Sequence, residues 1–456
     1  MDELLAAGAV RTIAALRSGE VSPADLLDAV EARIAETEPR LHAMTAVCVD
    51  RARRRRSGND GPLAGLPVTV KDVVDVEGVP TTFGSEPYRG NVPRRSDRLV
   101  TRIEAAGGVI VGKTNLPEFS AGADTVSPVG GRTVNPADPS VSCGASSGGA
   151  AVSVAAHQAW LAHGADTAGS IRIPAAFCGV VGVRPTPGLV TTDRDDDPSG
   201  LEVHGPLART AADAALFLRV LASQDLPSPE PGARLRIAFS PDLGGIVRVE
   251  DEVAAACARA VADLVRLGHQ VEEAVPPVRG VHDACLILLG HRAVALHAER
   301  VERHGTALGP ALRAEVSAGL AIPADRVASA LRRRAELRAA METFFGRFDV
   351  LVTPVFGVGP WPLPHGTSPY PDEPYLSLGA AAWPLTTLAP MAGCSAVAVP
   401  CGTAGGLPVG LQLLGAPYSD LRLLRLAADL ETAGLDTAAA AAGSATRDGT
   451  GDGRRS

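Results

Sequence analysis

The sequence from residue 142 to residue 188 reads SCGASSGGAAVSVAAHQAWLAHGADTAGSIRIPAAFCGVVGVRPTPG. Glycine, serine and alanine dominate this stretch, which is too polar in places for a hydrophobic core and too patterned for a linker. The loop at 144–149 opens into a helix-like segment, so backbone N–H groups gather at a helix N-terminus, where negative charge is stabilised. A second loop, 166–170, surrounds a serine with small residues that leave its N–H groups open to an incoming carbonyl oxygen.

Helix and strand patterns alternate on both sides of this stretch. Apolar and polar residues alternate from Val68 to Lys71, which predicts a strand with Lys71 at its end. Apolar residues at helical spacing predict helices near 2–17, 23–37, 97–106, 209–222, 250–267 and 420–433, and strands follow several of them. The region 280–345 reads as mainly helical. This alternation predicts one large α/β unit with a parallel or mixed sheet.

Composition and charge limit the classes of partner. The 456 residues carry a formal charge of −8 with a pI near 5.7, so the chain has no general attraction to nucleic acid or to anionic membranes. The basic run RARRRR at 51–56 is interpreted as a solvated helix end leading into a turn at 57–61, in preference to a nucleic-acid-binding arm. No uninterrupted apolar run approaches about 18 residues, and the N-terminus is acidic. We therefore expect a cytoplasmic protein with no membrane partner.

The seven cysteines are odd in number and irregularly spaced, with no Cys-x-x-Cys pair and no Cys/His cluster of metal-binding type. This pattern predicts reduced, mostly buried thiols and no metal site.

Ser170 is a candidate nucleophile, although a serine after a glycine is also common in turns. A serine nucleophile needs a base, and none of the ten histidines lies in a telling motif. Lysine is scarce: Lys71 and Lys113 are the only two lysines in a chain that otherwise uses arginine for positive charge. Arginine stays protonated, whereas a buried lysine can lose its proton. Lysine at these two positions therefore indicates a role that arginine cannot fill.

Six motifs together resemble the amidase-signature family. They are LAGLPVTVKD, KTNLPEFS, GASSGGAA, GADTAGSIRIPAAFCGVVGVRPT, VHGPLARTAAD and LPVGLQLLG, and the resemblance runs from about residue 5 to residue 433. Lys71 and Ser146 are 75 residues apart, and Ser146 and Ser170 are 24 apart. Both intervals equal the spacing of the family's Lys, cis-Ser, Ser triad, which makes the resemblance specific.

The resemblance implies a role for each of these residues. Ser170 would be the nucleophile that forms an acyl-enzyme, Ser146 a proton shuttle that follows a cis peptide bond, and Lys71 the base, neutral in the resting site. The oxyanion hole would be formed by backbone N–H groups, those of Thr167, Ala168, Gly169 and Ser170. Ala145 and Ala168 stand where the family more often has glycine, and a methyl group narrows the choice of φ.

Further residues in the same motifs would support the site. Ser147, Asp166, Arg172 and Glu118 are interpreted as residues that hold the loops through hydrogen bonds and ion pairs rather than by direct catalysis. For several residues near the C-terminal strands, a wall of the substrate pocket and ordinary packing both stay open; they are Trp361, Tyr370, Tyr375, Trp383, Met391, Cys394 and Cys401.

The fold implied by the resemblance is an amidase-signature α/β/α sandwich with a large twisted mixed β-sheet of about eleven strands. One domain would cover 1–436, with a catalytic core at about 60–220 and a substrate-shaping segment at about 225–385, followed by a disordered tail at 437–456. Neither a metal nor an organic cofactor is implied.

The function implied is hydrolysis of a linear amide of a small molecule, with acyl transfer to another amine as a side activity and a homodimer left open as the assembly. Three alternatives remain. The first is a glutamine-hydrolysing amidotransferase subunit, although the Tyr-rich helical segment expected of that subgroup is absent from 280–345. The second is an allophanate-hydrolase-like enzyme, for which the Thr-Ala-Gly-Ser run at 167–170 is a weak hint. The third is a non-catalytic member of the family.

Overall fold

The computed structural model describes residues 2–55, 61–194, 197–230, 232–364, 366, 368, 370, 372 and 375–434. The tail expected at 437–456 lies outside the described residues. None of the described helices is both long enough and apolar enough to cross a bilayer.

The described residues form fifteen α-helices. They are α1 (Asp2–Ala6), α2 (Ala9–Ser18), α3 (Pro23–Leu41), α4 (Val49–Arg54), α5 (Arg98–Ala105), α6 (Gly148–Ala155), α7 (Arg172–Cys178), α8 (Ala211–Leu221), α9 (Asp251–Arg266), α10 (Val281–His304), α11 (Pro310–Leu320), α12 (Ala324–Arg347), α13 (Tyr375–Ala382), α14 (Pro384–Ala392) and α15 (Asp420–Thr432).

Thirteen strands are found in the same part of the chain. They are β1 (Met44–Val47), β2 (Pro67–Lys71), β3 (Val109–Thr114), β4 (Val126–Ser127), β5 (Gly131–Arg132), β6 (Leu161–Asp166), β7 (Val181–Arg184), β8 (Val203–Ala208), β9 (Arg236–Phe239), β10 (Gln270–Glu273), β11 (Val350–Pro354), β12 (Ser395–Ala404) and β13 (Leu407–Gly415). Strands β4 and β5 form a separate two-stranded sheet.

The other eleven strands form one mixed sheet in the order β1-β3-β2-β6-β8-β7-β12-β13-β11-β9-β10. Strand β2 pairs in parallel with both β3 and β6, whereas β7 and β8 pair antiparallel. The predicted α/β class and the large mixed sheet are confirmed. Since β2 and β6 are parallel neighbours, their carboxyl ends, which carry Lys71 and Asp166, meet at one edge of the sheet.

The central strands are buried along their whole length. Every residue of β2, β3, β6, β7, β8 and β11 is buried. Helix α7 packs on β12 and β13, α9 on β12, and α8 on β8. Because the protein covers these strands on both faces, their side chains are buried on both sides of the sheet, with no alternation of buried and exposed residues.

Two N-terminal predictions need correction. The helix expected at 2–17 is broken into α1 and α2 around Gly8, because the Val10 N–H, in the first turn of α2, donates to Asp213 Oδ1 at 2.9 Å. Helix α3 begins as expected with Ser22 as its N-cap, in a capping box with Asp25, but it continues four residues beyond 37, to Leu41.

The basic run is not a simple solvated helix end. Arg51 is buried, and its Nη1 lies 2.7 Å from Glu104 Oε1, while Arg53 Nη2 lies 2.6 Å from Asp28 Oδ1. The reason is tertiary, since α4 packs against both β3 and α3 and turns part of the run inward. Residues 56–60, with the predicted turn, lie outside the described residues.

Gly149 gives a test of how closely α6 packs on the sheet. A Cβ at this position would lie 2.5 Å from both Ala43 O and Asn115 N. We expect Gly149→Ala to lower the free energy of unfolding by about 1–3 kcal/mol, measured by urea denaturation, because an added methyl group forces backbone apart. Gly359→Ala is the control, since no heavy atom of the described residues lies within 4 Å of its added Cβ. Equal stability of Gly149→Ala and the wild type would contradict this packing.

Candidate active site

The three residues of the expected triad lie at the ends of neighbouring elements. Lys71 is the last residue of β2, as predicted. Ser146 lies in the loop before α6, and Ser170 lies between β6 and α7. The Ser147 N–H donates to Ser170 O at 3.0 Å, which ties the two serine loops together. The fold thus brings together residues that lie far apart in the sequence.

Lys71 and Ser146 are in direct hydrogen-bonding contact. Lys71 Nζ lies 2.7 Å from Ser146 Oγ, and the peptide bond between Ala145 and Ser146 is cis. Lys71 is fully buried and Ser146 is 1% exposed, whereas Ser170 is partly exposed. Among the described residues, no hydrogen-bond partner lies within reach of Ser170 Oγ in this structure. The structure therefore shows one link of the expected relay, between Lys71 and Ser146.

Burial governs the protonation of Lys71. It lowers the pKa of this side chain from 10.5 to about 7, although the carboxylates of Glu202 and Asp166 act in the opposite direction. A lysine with this pKa is substantially neutral at physiological pH. Lys71 can therefore accept a proton, which an exposed lysine cannot do under the same conditions.

Asp166 organises the loop that follows β6. Its Oδ1 accepts the Gly169 N–H at 2.9 Å and its Oδ2 accepts the Ile171 N–H at 3.2 Å. Arg172 donates to both carboxylate oxygens at 2.9 Å, and Arg184 donates to Oδ1 at 3.2 Å. Burial alone would raise the pKa of Asp166, but the two guanidinium groups and these N–H donors outweigh it and hold the pKa well below its usual range.

The peptide between Ala168 and Gly169 is held at both ends. Ala168 O accepts hydrogen bonds from Trp383 Nε1 at 2.9 Å and from Thr386 Oγ1 at 2.8 Å. The N–H of Gly169 points the other way, towards Asp166. Gly169 has a φ of 122°, and a Cβ there would lie 2.7 Å from Thr386 Oγ1, so the position requires glycine.

The four N–H groups expected to form the oxyanion hole are thus not equivalent. Gly169 already donates to Asp166, so its N–H is occupied in this structure. For Thr167, Ala168 and Ser170, no acceptor of the N–H group is found among the described residues. Neither Ala168 nor Ala145 has a positive φ, so the two alanines that replace the family's usual glycines fit their backbone without left-handed strain.

The residues expected to hold the loops make such contacts. Ser147 Oγ donates to Ala165 O at 3.0 Å, which fastens the glycine-rich loop to β6. Glu118 accepts from Ser85 Oγ at 2.6 Å and from the Gly309 N–H at 2.5 Å, so it joins the core to the segment before α11. Asp166 and Arg172 act as described above.

Some of the residues left open between substrate pocket and core lie in the core. Met391, Cys394 and Cys401 are buried members of the hydrophobic core. All seven cysteines are free and buried. Trp383 donates a hydrogen bond to Ala168 O, and Trp361 packs edge-on against Phe177.

Within the described residues, no group of three or more His, Cys, Asp or Glu side chains is arranged to hold a metal ion.

A cavity of about 90 Å³ lies beside the site. Two of its walls are Val73, which follows Lys71 closely in the chain, and Glu202, whose Oε2 accepts a hydrogen bond from Thr167 Oγ1 at 3.1 Å. Arg292 lines the same cavity from α10 and pairs with Glu202 Oε2 at 2.5 Å. Glu202 and Arg292 were not predicted as site residues from the sequence; the one signal in the sequence is the position of Glu202 directly before the VHGPLA motif.

Comparison with known proteins finds relatives along almost the whole chain. A glutamyl-tRNA(Gln) amidotransferase subunit from Symbiobacterium thermophilum is 33% identical over 90% of this chain and 93% of its own length. An acylamidase from Rhodococcus erythropolis is 32% identical over 93% of this chain and 94% of its own. The structure of a 6-aminohexanoate cyclic dimer hydrolase superposes with a TM-score of 0.85 at 27% identity, over 94% of this chain and 97% of that one.

The family model named Amidase matches residues 25–424. This match covers the glycine-rich loop, the loop after β6 and the C-terminal strand pair. The chain therefore belongs to the amidase-signature family, whose enzymes hydrolyse the C–N bond of amides.

Proposed function

We propose that this protein hydrolyses a linear carboxylic amide through an acyl-enzyme on Ser170, with Ser146 and Lys71 as the proton-transfer chain. The observation that carries the proposal is the 2.7 Å contact between Ser146 and a fully buried Lys71 whose pKa lies near 7. The overall reaction is R–CO–NH–R′ plus water to R–COOH plus R′–NH₂. The substrate is a small molecule, and the enzyme works in the cytoplasm without a cofactor.

The first half of the reaction forms the acyl-enzyme. Ser170 Oγ attacks the amide carbon, its proton passes to Ser146, and the Ser146 proton passes to neutral Lys71. The developing oxyanion is stabilised by the N–H groups of Thr167, Ala168 and Ser170, which have no acceptor among the described residues of the resting enzyme. The C–N bond then breaks, and the amine leaves with the proton that Lys71 returns through Ser146.

The second half repeats the chemistry with water as the nucleophile. Water adds to the ester carbon of the acyl-enzyme and loses its proton to the same chain, and Ser170 regains its proton as the acid leaves. Ser170 Oγ must come within hydrogen-bonding reach of Ser146 for this relay. Catalytic hydrogen bonds are often long in unliganded enzymes and tighten in the substrate complex.

The test is covalent labelling with a fluorophosphonate, followed by intact mass. In this reaction an O–P bond forms at serine, the P–F bond breaks and fluoride leaves. We expect one adduct on the wild type, none on Ser170→Ala, and labelling at least about 100-fold slower on Lys71→Ala, as is typical when general-base catalysis is lost. The wild-type rate should rise with pH through a midpoint near 7, because only neutral Lys71 accepts a proton.

Ser240→Ala is a matched control for this experiment, because Ser240 Oγ is buried and has no hydrogen-bond partner among the described residues. It should label like the wild type. Labelling of Ser170→Ala at the wild-type rate would refute the assignment of the nucleophile.

A second test uses the stability of the protein. The pKa of Lys71 is about 7 in the folded protein against 10.5 for an ordinary lysine, so the unfolded chain binds the proton more tightly. Stability of the wild type relative to Lys71→Met should therefore increase as pH rises from about 7 to about 10, and should stay constant below that window. Urea unfolding at several pH values measures this difference.

Ser170→Ala keeps Lys71 and is the control, because its stability should follow the pH dependence of the wild type. Parallel pH dependence of the wild type and Lys71→Met would contradict a lowered pKa.

The second candidate function is that of a glutamine-hydrolysing subunit, supported by the 33% identity to a glutamyl-tRNA(Gln) amidotransferase component. Against it, none of the chain's four tyrosines lies within 280–345. We expect the purified chain alone to hydrolyse members of a library of simple amides and anilides, detected by release of the amine. Hydrolysis restricted to glutamine, and dependent on added partner proteins, would favour the second function instead.

A further inference from the structure

Glu202 connects the loop after β6 to the helical region that carries no readable motif. It lies directly before β8, and its side chain is 23% exposed. Its Oε2 accepts a hydrogen bond from Thr167 Oγ1 at 3.1 Å and another from Arg292 Nη2 at 2.5 Å. One carboxylate oxygen therefore joins a residue of the expected oxyanion hole to α10.

Arg292 is itself fixed on its other side. Its Nε lies 3.2 Å from Asp197 Oδ1. Asp197 in turn accepts backbone N–H groups over a short loop, those of Ser199, Leu201 and Glu202, at 2.9–3.0 Å. The carboxylate of Glu202 is thus paired with a guanidinium group, and the backbone that carries it donates to Asp197.

The two ends of the oxyanion loop differ in how they are held. Towards Ser170, the peptide between Ala168 and Gly169 is fixed by Asp166, Trp383 and Thr386. At Thr167, the side chain has one hydrogen bond among the described residues, the one to Glu202. The hydrogen bond to Glu202 therefore fixes the orientation of the backbone at Thr167, and with it the direction of the Thr167 N–H. An oxyanion is stabilised only by N–H groups that point towards it.

We propose that Glu202 is a positioning residue, which aims the Thr167 end of the oxyanion loop through the Thr167 hydroxyl and is itself anchored by Arg292. The inference rests on the proposed function, because it concerns the acylation of Ser170. It assigns a role in the reaction to α10, within the segment that was expected only to shape the substrate pocket.

Charged groups from several elements surround Glu202. Arg292 faces it from α10, Asp197 from the preceding loop, and His204 Nε2 from β8 at 3.8 Å. Burial would raise the pKa of Glu202, but Arg292 and His204 outweigh it and lower the pKa, so the carboxylate is charged at neutral pH. The more distant Glu315 on α11 acts on Arg292, and Arg300 and His297 line the same cavity.

The charge of Glu202 also affects the pKa of Lys71, the proposed base. Among the groups that act on Lys71, burial is the largest influence and lowers its pKa, and Glu202 is the strongest of those that raise it. Removing the charge should therefore lower the pKa of Lys71 further. This gives a readout that a merely structural role would not move, because loss of folding does not shift a midpoint.

The experiment measures fluorophosphonate labelling of Ser170 from pH 5 to pH 9. Thr167→Val removes the hydroxyl and keeps the shape, and we expect labelling about 10- to 100-fold slower, in the range of a misplaced catalytic group or a weakened oxyanion donor. Thr167→Ser restores the hydroxyl and should label within about threefold of the wild type. Glu202→Gln keeps an acceptor and removes the charge, so its midpoint should lie at lower pH than that of the wild type.

The double variant Thr167→Val/Glu202→Ala, compared with the single variants Thr167→Val and Glu202→Ala, tests whether the two residues act together. We expect it to label no more slowly than the slower single variant, because both changes remove the same contact. Glu299→Gln on the outer side of α10 is the control, since Glu299 is 81% exposed, and it should change neither rate nor midpoint.

Two results would overturn the inference. One is labelling of Thr167→Val at the wild-type rate, and the other is an additive loss in the double variant. An unchanged midpoint in Glu202→Gln would contradict only the action of its charge on Lys71. The failure of the proposed function is distinguishable, because in that case Ser170→Ala would itself be labelled.

Discussion

The buried ion pair between Asp166 and Arg172 is the interaction on which the active site depends. Asp166 accepts two backbone N–H groups of its own loop, and Arg172 reaches onward to Thr386 O and to the side chain of Gln412 on β13. Strand β6, the loop before α7, helix α14 and the C-terminal strand pair are therefore brought to one point. Removing one partner of such a pair leaves an uncompensated buried charge, at a typical cost of about 3–5 kcal/mol.

The site holds two fully buried ionisable groups whose pKa values are set by different neighbours. Asp166 and Lys71 are both fully buried. Asp166 stays charged because guanidinium groups and N–H donors surround it. Lys71 contacts a serine hydroxyl, and the carboxylates of Glu202 and Asp166 raise its pKa less than burial lowers it. Burial of a charge without compensation favours the neutral form. At the same depth in the protein, the carboxyl group of Asp166 thus stays ionised, whereas the amine of Lys71 can lose its proton near neutral pH.

The segments that carry no motif take part in the site through single side chains. Trp383 lies beside α14 and donates to Ala168 O, and Arg292 on α10 holds Glu202. Trp383 contacts the loop after β6 from 215 residues further along the chain, and Arg292 acts on that loop through Glu202. The geometry of the loop after β6 therefore depends on side chains from these segments as well as on its own motif.

The sequence by itself determined the α/β class, the family, Lys71 at the end of a strand and the N-cap at Ser22, because each depends on local periodicity or on fixed spacing within a motif. The tertiary structure decided the rest. It showed that Arg51 is paired and buried, that the Gly169 N–H is occupied by Asp166, and that Glu202 and Arg292 meet beside Thr167. Such contacts depend on which distant elements the sheet brings together, and hydrogen-bond direction and burial are properties of that packing rather than of any short stretch of sequence.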